Sequence, residues 1–359
     1  MKLPTPRLEI HPERISENAR AIVGLCHAHH IQVAGVTKVA RAQSEVVRAL
    51  EQGWVDLLAD SRLENLESIR RQGTELPLML VRIPTPSAAA KVVELADISL
   101  NSSLETIQLL SQAAVRQKKT HKVILMVDLG DLREGVWPDR AAGLLEKAAK
   151  LPNIVISGLG CNLACYGGVI PTTEKMQQLI DLRNACRQSL GMELSILSGG
   201  NSANLPLLVA GGMPPEINQL RIGETIQLGR NVIDRSPFAG TRQDTYRLVA
   251  EVIELERKPS VPIGSRGQDA FGGTPEFVDR GTRKRAICNI GRQDVVIENL
   301  EPEDPGIIVL GGSSDHLILD VEEARNPVRL GSEIVLEPGY AALLAASTSP
   351  YVKKRVIVE

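Results

Sequence analysis

The stretch QVAGVTKVAR, residues 32–41, runs through Val33, Ala34, Gly35 and Val36 and then delivers a lysine, Lys38. A short apolar run of this kind reads as a buried strand. Lysine is rarely fully buried without a partner. Either the Lys38 side chain escapes to solvent, or the end of that strand is a place that wants an amine.

Working outward, similar apolar runs recur at residues 55–59, 78–81, 98–100, 123–127, 154–159, 194–197 and 220–222. Between them lie segments of helical period: SEVVRALEQG, LENLESIRRQG, SAAAKVVELA, LETIQLLSQAAVRQ, DRAAGLLEKAAKL and TEKMQQLIDLRNACRQSLG. Several close on glycine, as helix C-termini often do. About eight strand–helix units in a row predict an α/β fold, a (β/α)8 TIM barrel, which takes ~250 residues. After Pro237 the rhythm changes to short β-rich segments, YRLVAEVIELE, RAICNIG, GIIVLGG, HLILDV and SEIVLEP, cut by Gly and Pro turns, with helical pattern only at 341–346. The expected organisation is a barrel over residues 11–235 followed by a C-terminal β-rich domain over 236–359, which an N-terminal strand in residues 1–10 joins.

Composition narrows the function classes. Lys and Arg number 41 against 43 Asp and Glu, leaving a formal charge of -2, with no basic stripe. Nucleic acid and anionic membrane are therefore not expected partners. The opening MKLPTPRLEI lacks the apolar core of a signal peptide, and no run is long enough to span a bilayer. Five scattered cysteines suit a reducing compartment, so the expectation is a cytoplasmic protein. HAHH (His27, His29, His30) has no companion carboxylate in the sequence pattern and reads as surface histidines rather than a metal site. The YVKKR run reads as a solvated strand end.

Barrel chemistry sits at the C-terminal ends of the strands, and the unusual residues fall there. Lys38 follows the first run and Asp60 the second; Arg133 lies in VDLGDLREG; Asn162 is flanked by Cys161 and Cys165; SGGNSAN follows the seventh run and RIGE closes the eighth. SGGNS offers backbone N–H groups left uncovered by glycine, plus the Ser202 hydroxyl, an arrangement that cradles phosphate. An amine opposite a phosphate site points to a phosphorylated aldehyde held as a Schiff base, as pyridoxal phosphate is. Each signal has a bland counterpart. Lys38 reads equally as a loop lysine, GGNS as a turn, and Arg221 as half of a structural ion pair.

PRLEIHPERISENARAI, VAGVTKVA, LADSRLEN, DISLNSSLETI, HKVILMVDLGDLREG, SGGNSANL, LRIGE, KPSVPIG and SSDHLILD together resemble the alanine/ornithine racemase family of fold-type III pyridoxal phosphate enzymes, most closely its ornithine-specific branch. The resemblance covers nearly the whole chain. It implies pyridoxal 5'-phosphate as cofactor, with Lys38 as the lysine that holds it. It matches Ser202 and the backbone at Gly223 and Glu224 to the phosphate site, with Asn201 alongside. Arg221 matches the arginine on the pyridine nitrogen, Arg133 one near the phenolic oxygen, and Asn162 a position lining the ring. Asp315 matches an aspartate that crosses from the partner subunit, and Tyr340 a tyrosine near the phosphate. The implied activity is racemisation of ornithine or a related basic amino acid, with a homodimer as the working form. Alanine or broad-specificity racemisation, a non-catalytic pyridoxal phosphate carrier and a decarboxylase are the alternatives.

Two departures matter. Phe271, in FGGT, stands where the family has a tyrosine base, and Ala42 stands where it has a tyrosine four residues after the lysine. For the second proton-handling group Cys165, Tyr166, Asp269 and Ser314 are candidates, and Cys165 leads. A carboxylate on the ring nitrogen would reverse the electronics that Arg221 implies, so Glu224 is assigned to the phosphate rim.

Overall fold

A computed structural model describes residues 3–358 and divides the chain into two units, Pro12–Gln243 and Met1–His11 with Asp244–Glu359. Residues 1, 2 and 359 lie outside the described residues, so of the strand expected within residues 1–10 the described part is β1 (Arg7–Ile10).

The first unit begins with α1 (Pro12–His27), whose leading proline is suited to a first helical position. Eight parallel strands then close on themselves in sequence order: β2 (Gln32–Val36), β3 (Leu57–Asp60), β4 (Leu78–Leu80), β5 (Ile98–Asn101), β6 (His121–Met126), β7 (Ile154–Gly160), β8 (Ile196–Ser198) and β9 (Gln219–Ile222). The helices between and after them are α2 (Ser44–Gln52), α3 (Leu63–Arg71), α4 (Ala89–Leu95), α5 (Leu104–Gln117), α6 (Pro138–Ala148), α7 (Thr173–Leu190), α8 (Leu205–Val209) and α9 (Glu224–Leu228). Local chemistry sets their ends. Thr172 caps α7 by accepting from Lys175 N, and Gly191 stops it at φ +65. The barrel expected from the alternation is therefore present.

Boundaries differ where backbone angles forbid extension. Leu194 takes φ +43, so β8 starts two residues into the apolar run; Trp54 takes φ +62 and Val55 N–H returns to the Leu50 carbonyl, so β3 starts at Leu57. Helices α8 and α9 span only five residues each, too short for a helical period to register in sequence.

Strand register decides which side chains enter the barrel. Ala34 pairs with Leu57 and Arg221, Leu100 with Ile124, Met126 with Gly160, and Gly160 with Ser198. Paired residues on parallel strands share a face. The interior is thus Ala34, Leu57, Ala59, Met79, Ile98, Leu100, Ile124 and Met126. The alternate residues, among them Leu125, Leu159 and Leu197, pack outward with α6 and α7. Gly158 is required by close approach, because a Cβ there would overlap the Ile196 carbonyl on the neighbouring strand.

The end of β2 is tied to β3 twice. Thr37 N–H donates to the Ala59 carbonyl at 2.9 Å and its hydroxyl to Asp60 Oδ2 at 2.6 Å. Asp60 is fully buried and also accepts from Arg62 N (2.9 Å) and Asn65 Nδ2 (3.0 Å). Burial pushes its carboxyl up from the ordinary value, against the downward pull of those hydrogen bonds.

The second unit is an eight-stranded sheet. Strands β10 (Tyr246–Pro259), β11 (Thr282–Cys288), β12 (Leu300–Pro302), β13 (Ile308–Gly312), β14 (Leu317–Asp320) and β15 (Glu333–Pro338) are ordered β12-β15-β10-β11-β14-β13. Helix α10 (Tyr340–Thr348) follows, and β16 (Lys353–Val356) pairs in parallel with β1, which in turn pairs with β10. The YVKKR run is accordingly a paired strand. The division between units falls after Gln243, not after Arg235. Residues 236–243 stay with the barrel because Phe238 N–H donates to the Gly229 carbonyl and Arg242 N–H to Asn18 Oδ1 on α1. No helix among the described residues is long and apolar enough to cross a membrane.

Two outcomes test this packing. Gly158→Ala should lower barrel stability by about 1–3 kcal/mol, read as a lower urea midpoint from the fluorescence of Trp54 and Trp137, both in the barrel unit. The folded chain keeps the Asp60 proton above the pH at which the unfolded chain releases it, so this group's contribution to stability is lost as pH rises through its raised folded-state value. Asp60→Asn should therefore flatten the fall in urea midpoint that the wild type shows as pH climbs from about 4.

Candidate active site

Carrying the inward-facing alternation past the strand ends leads from Ala34 and Val36 to Lys38 and from Gly158 and Gly160 to Asn162. On β9 it falls within the strand, on Arg221. These three side chains belong to one barrel mouth, the face on which this fold places its chemistry.

Lys38 opens a single 3-10 turn, Lys38–Ala40, immediately after the anchored Thr37. The Thr37 carbonyl accepts from Ala40 N (3.0 Å) and Ala42 N (3.4 Å), and Ala42 is buried at φ +52. The lysine thus stands on a turn that is bonded at its root.

Arg221 is 5 % exposed and sits inside the barrel. One Nη donates to the Ser198 carbonyl (3.3 Å) and to the Ser198 hydroxyl; the other donates to the Cys161 carbonyl (2.7 Å) and Asn162 Oδ1 (3.4 Å). Among the described residues no carboxylate is hydrogen-bonded to it, so the ion-pair reading gives way to a guanidinium held by neutral acceptors. Burial presses its pKa down from the ordinary value, from a starting point high enough that it stays charged.

The phosphate-type donors gather on the next strand ends. Gly200 takes φ +143 and its carbonyl accepts from Arg221 N at 2.9 Å. Ser202 is buried, and its Oγ accepts from Thr225 N at 3.3 Å, in the first turn of α9. Gly223 lies against β2: a Cβ there would stand 3.1 Å from Val36 Cβ, two residues before Lys38. The first N–H groups of α9 have no carbonyl one turn behind them. A hydroxyl, backbone N–H groups, a guanidinium and an amine on adjoining strand ends are the donor set that a phosphorylated pyridine aldehyde requires, so these residues fit the expected cofactor.

Two of the expected site residues have side-chain partners within the protein. Asn201 Nδ2 donates to Asn162 Oδ1 (2.9 Å), the Leu163 carbonyl (2.8 Å) and Cys165 Sγ (3.3 Å). Its Oδ1 accepts from Ala203 N at 2.7 Å, which leaves the amide committed. The Glu224 side chain is taken by Arg235 rather than left on the rim. Burial raises the Glu224 carboxyl, while Arg235 and Lys38 pull it back, which puts Lys38 within electrostatic reach.

The opposite side of the mouth is built from loops. Arg133 forms an ion pair with Glu134. Burial works against the Arg133 charge, but Cys165, Glu134 and Asp131 outweigh it and the guanidinium is raised. Cys165 is the exposed member of the five cysteines; the other four are buried. Its sulfur accepts from Asn162 Nδ2 (3.1 Å) and Asn201 Nδ2 (3.3 Å). Cys161, by contrast, is sealed in, and burial pushes its thiol up to about 12. A buried, inert cysteine is therefore Cys161, not Cys165.

The remaining candidates lie in the β unit or at the surface. Tyr340 opens α10. Asp315 is exposed in the β13–β14 turn, with Gln293 Nε2 and Ser314 Oγ (2.7 Å) on its carboxylate. Phe271 is exposed under the Arg292 guanidinium, and Asp269 accepts from Phe271 N (2.9 Å) and Gly273 N (2.8 Å), capping its own turn. His27 does have a carboxylate neighbour, Asp56, at 2.9 Å; the two are remote in sequence, which hid the pair. Among the described residues no group of three or more His, Cys, Asp and Glu side chains is arranged to hold a metal ion.

Comparison with known proteins agrees with this geometry. Residues 10–229 match the family "Alanine racemase, N-terminal domain". The chain is 41% identical over 353 residues to an ornithine racemase of Acetoanaerobium sticklandii, covering 98% of this chain and 99% of that one. It is 40% identical over 349 residues to a lysine racemase of Thermotoga maritima, covering 97% and 98%. In fold it is similar to alanine racemase of Clostridium difficile 630, with a TM-score of 0.74 at 19% identity over 99% of this chain and 96% of that one. With the barrel, its mouth and the match over most of the barrel unit in hand, the chain belongs to the alanine racemase N-terminal domain family.

Proposed function

We propose that this protein is a pyridoxal 5'-phosphate-dependent racemase that interconverts the enantiomers of ornithine or a related basic amino acid. The observation that carries the reading is the convergence of Lys38, Arg221 and the Ser202–Gly223 cradle on the adjoining ends of β2, β9 and β8. The full-length likeness to ornithine and lysine racemases supports the substrate class.

Ser202 and the N–H groups at Gly223 and Glu224 would hold the cofactor phosphate, Arg221 the ring nitrogen, Lys38 the aldehyde carbon, with Asn162 against the ring, Arg133 near the phenolic oxygen and Tyr340 assigned to the phosphate. When bound, the cofactor supplies an electron sink that acidifies the substrate Cα–H. The Lys38 amine takes or returns the Cα proton on one face. Arg221, a permanent donor, keeps a second proton off the ring nitrogen and so favours proton return over loss of the carboxylate. Cys165 handles the proton on the other face, since Phe271 and Ala42 stand at positions where the family has tyrosines and offer no ionisable group. Asn201 supports it: with Asn162 it donates to the sulfur and so orients it. Asp315 is assigned to the distal ammonium of a substrate in the partner copy of a cytoplasmic homodimer.

Incubated with pyridoxal phosphate and L-ornithine, the protein should generate D-ornithine by chiral chromatography, and Lys38→Ala should lower kcat by at least about 10²-fold. Absence of any D-enantiomer from ornithine and lysine, or carbon dioxide release instead, would overturn the reading. Asp315→Asn should raise KM for ornithine more than for alanine; equal effects count against its role. Cys165→Ala should abolish racemisation while one ornithine enantiomer still exchanges its Cα proton in D2O through Lys38.

A further inference from the structure

The loop after β7, residues 161–171, has no regular structure, and Ala164 and Gly168 take φ +56 and +67 within it. Such a segment must find partners for its backbone N–H groups outside a helix or strand. It finds them on one residue of the loop after β6. Asp131 is 1 % exposed, and its Oδ2 accepts from Cys165 N (3.2 Å) and Tyr166 N (3.0 Å) while its Oδ1 accepts from Val169 N (3.2 Å). Its own carbonyl accepts from Gly167 N at 3.1 Å. The approach is so close that a Cβ on Gly167 would stand 2.8 Å from that oxygen. Both oxygens of one buried carboxylate are thus spent on the loop that presents Cys165.

The neighbouring acid shows that this is not ordinary loop capping. Asp128 accepts from Gly130 N (2.8 Å) and Leu132 N (3.2 Å), inside its own loop. Asp131 reaches across to another. Its loop also carries Arg133, whose charged form Cys165 helps to favour, so the clamp sets the thiol and the guanidinium in one frame. We propose that Asp131 is a positioning residue that fixes the Cys165 thiol in its amide cradle at the barrel mouth. This rests on the reading of Cys165 as the second proton-handling group.

The test uses the full-length protein loaded with pyridoxal phosphate, as Asp131→Asn, Gly167→Ala and Cys165→Ala. An asparagine at 131 presents one acceptor and one donor, so it cannot satisfy both sides of the loop; Gly167→Ala attacks the same junction with the carboxylate left in place, should the first variant fold poorly. Backbone amides in a peptide covering residues 163–171 should exchange at least about tenfold faster in either clamp variant, with barrel-strand peptides unchanged. In D2O, the clamp variants should reproduce the Cys165→Ala pattern although the thiol is present. One ornithine enantiomer keeps Cα exchange within about twofold of wild type, the other loses at least about tenfold, and racemisation falls with it. A merely structural role would slow both enantiomers alike. Equal losses, unchanged rates or unchanged amide exchange in the clamp variants each overturn the proposal. Normal racemisation by Cys165→Ala is a different failure: it removes the reading of Cys165, and the positioning role with it.

Discussion

Holding the Arg221 guanidinium inside a closed barrel is the constraint around which the mouth is organised. A buried cation without partners is costly, and an aliphatic barrel interior has none to give. The chain supplies them from two adjoining strands: the Ser198 carbonyl and hydroxyl from β8, the Cys161 carbonyl and the Asn162 amide oxygen from the end of β7. Space comes from Gly160, where a Cβ would stand 3.0 Å from Met126 Sδ and 3.3 Å from Ser198 Cβ. Neutral acceptors satisfy the guanidinium's donors, and no carboxylate among the described residues is hydrogen-bonded to it.

The two sides of the mouth obtain their precision differently. Lys38, Ser202, Arg221 and Gly223 stand on or beside strand ends, where the barrel ladder fixes the backbone and little else is needed. The side bearing Arg133 and Cys165 is loop, and loops have no ladder. There a buried carboxylate does the equivalent work, Asp131 joining the β6 and β7 loops; on the strand side Asp60 adds one further tie, to Thr37 under the lysine. Asp60 and Asp131 thus brace the chain itself, while Glu134 and Glu224 pair with arginines.

Much of the architecture was legible because a parallel barrel strand is buried on both faces and appears as an apolar run. All eight runs became strands, and inward positions followed from period two once one register was known. What was misjudged has a physical signature. Leu194 looks like a strand residue but takes φ +43, and Trp54, just before the second run, takes φ +62; composition announces neither. The unit boundary moved past Arg235 because Asn18, far off in sequence, holds Arg242. Short α8 and α9 left no periodic trace.

The site divides along the same line. Sequence alone determined that an amine, an arginine and a Gly-Ser turn would stand at neighbouring strand ends, since alternation and strand order are local properties that any barrel must respect. Only the tertiary structure decided that Asn201 turns toward Cys165, that Arg235 claims Glu224, that Asp56 meets His27, and that Cys161 is sealed while Cys165 is open. Those outcomes depend on which donors and acceptors from separate loops arrive within about 3 Å of one another, and that is settled when the barrel closes, not when the chain is written.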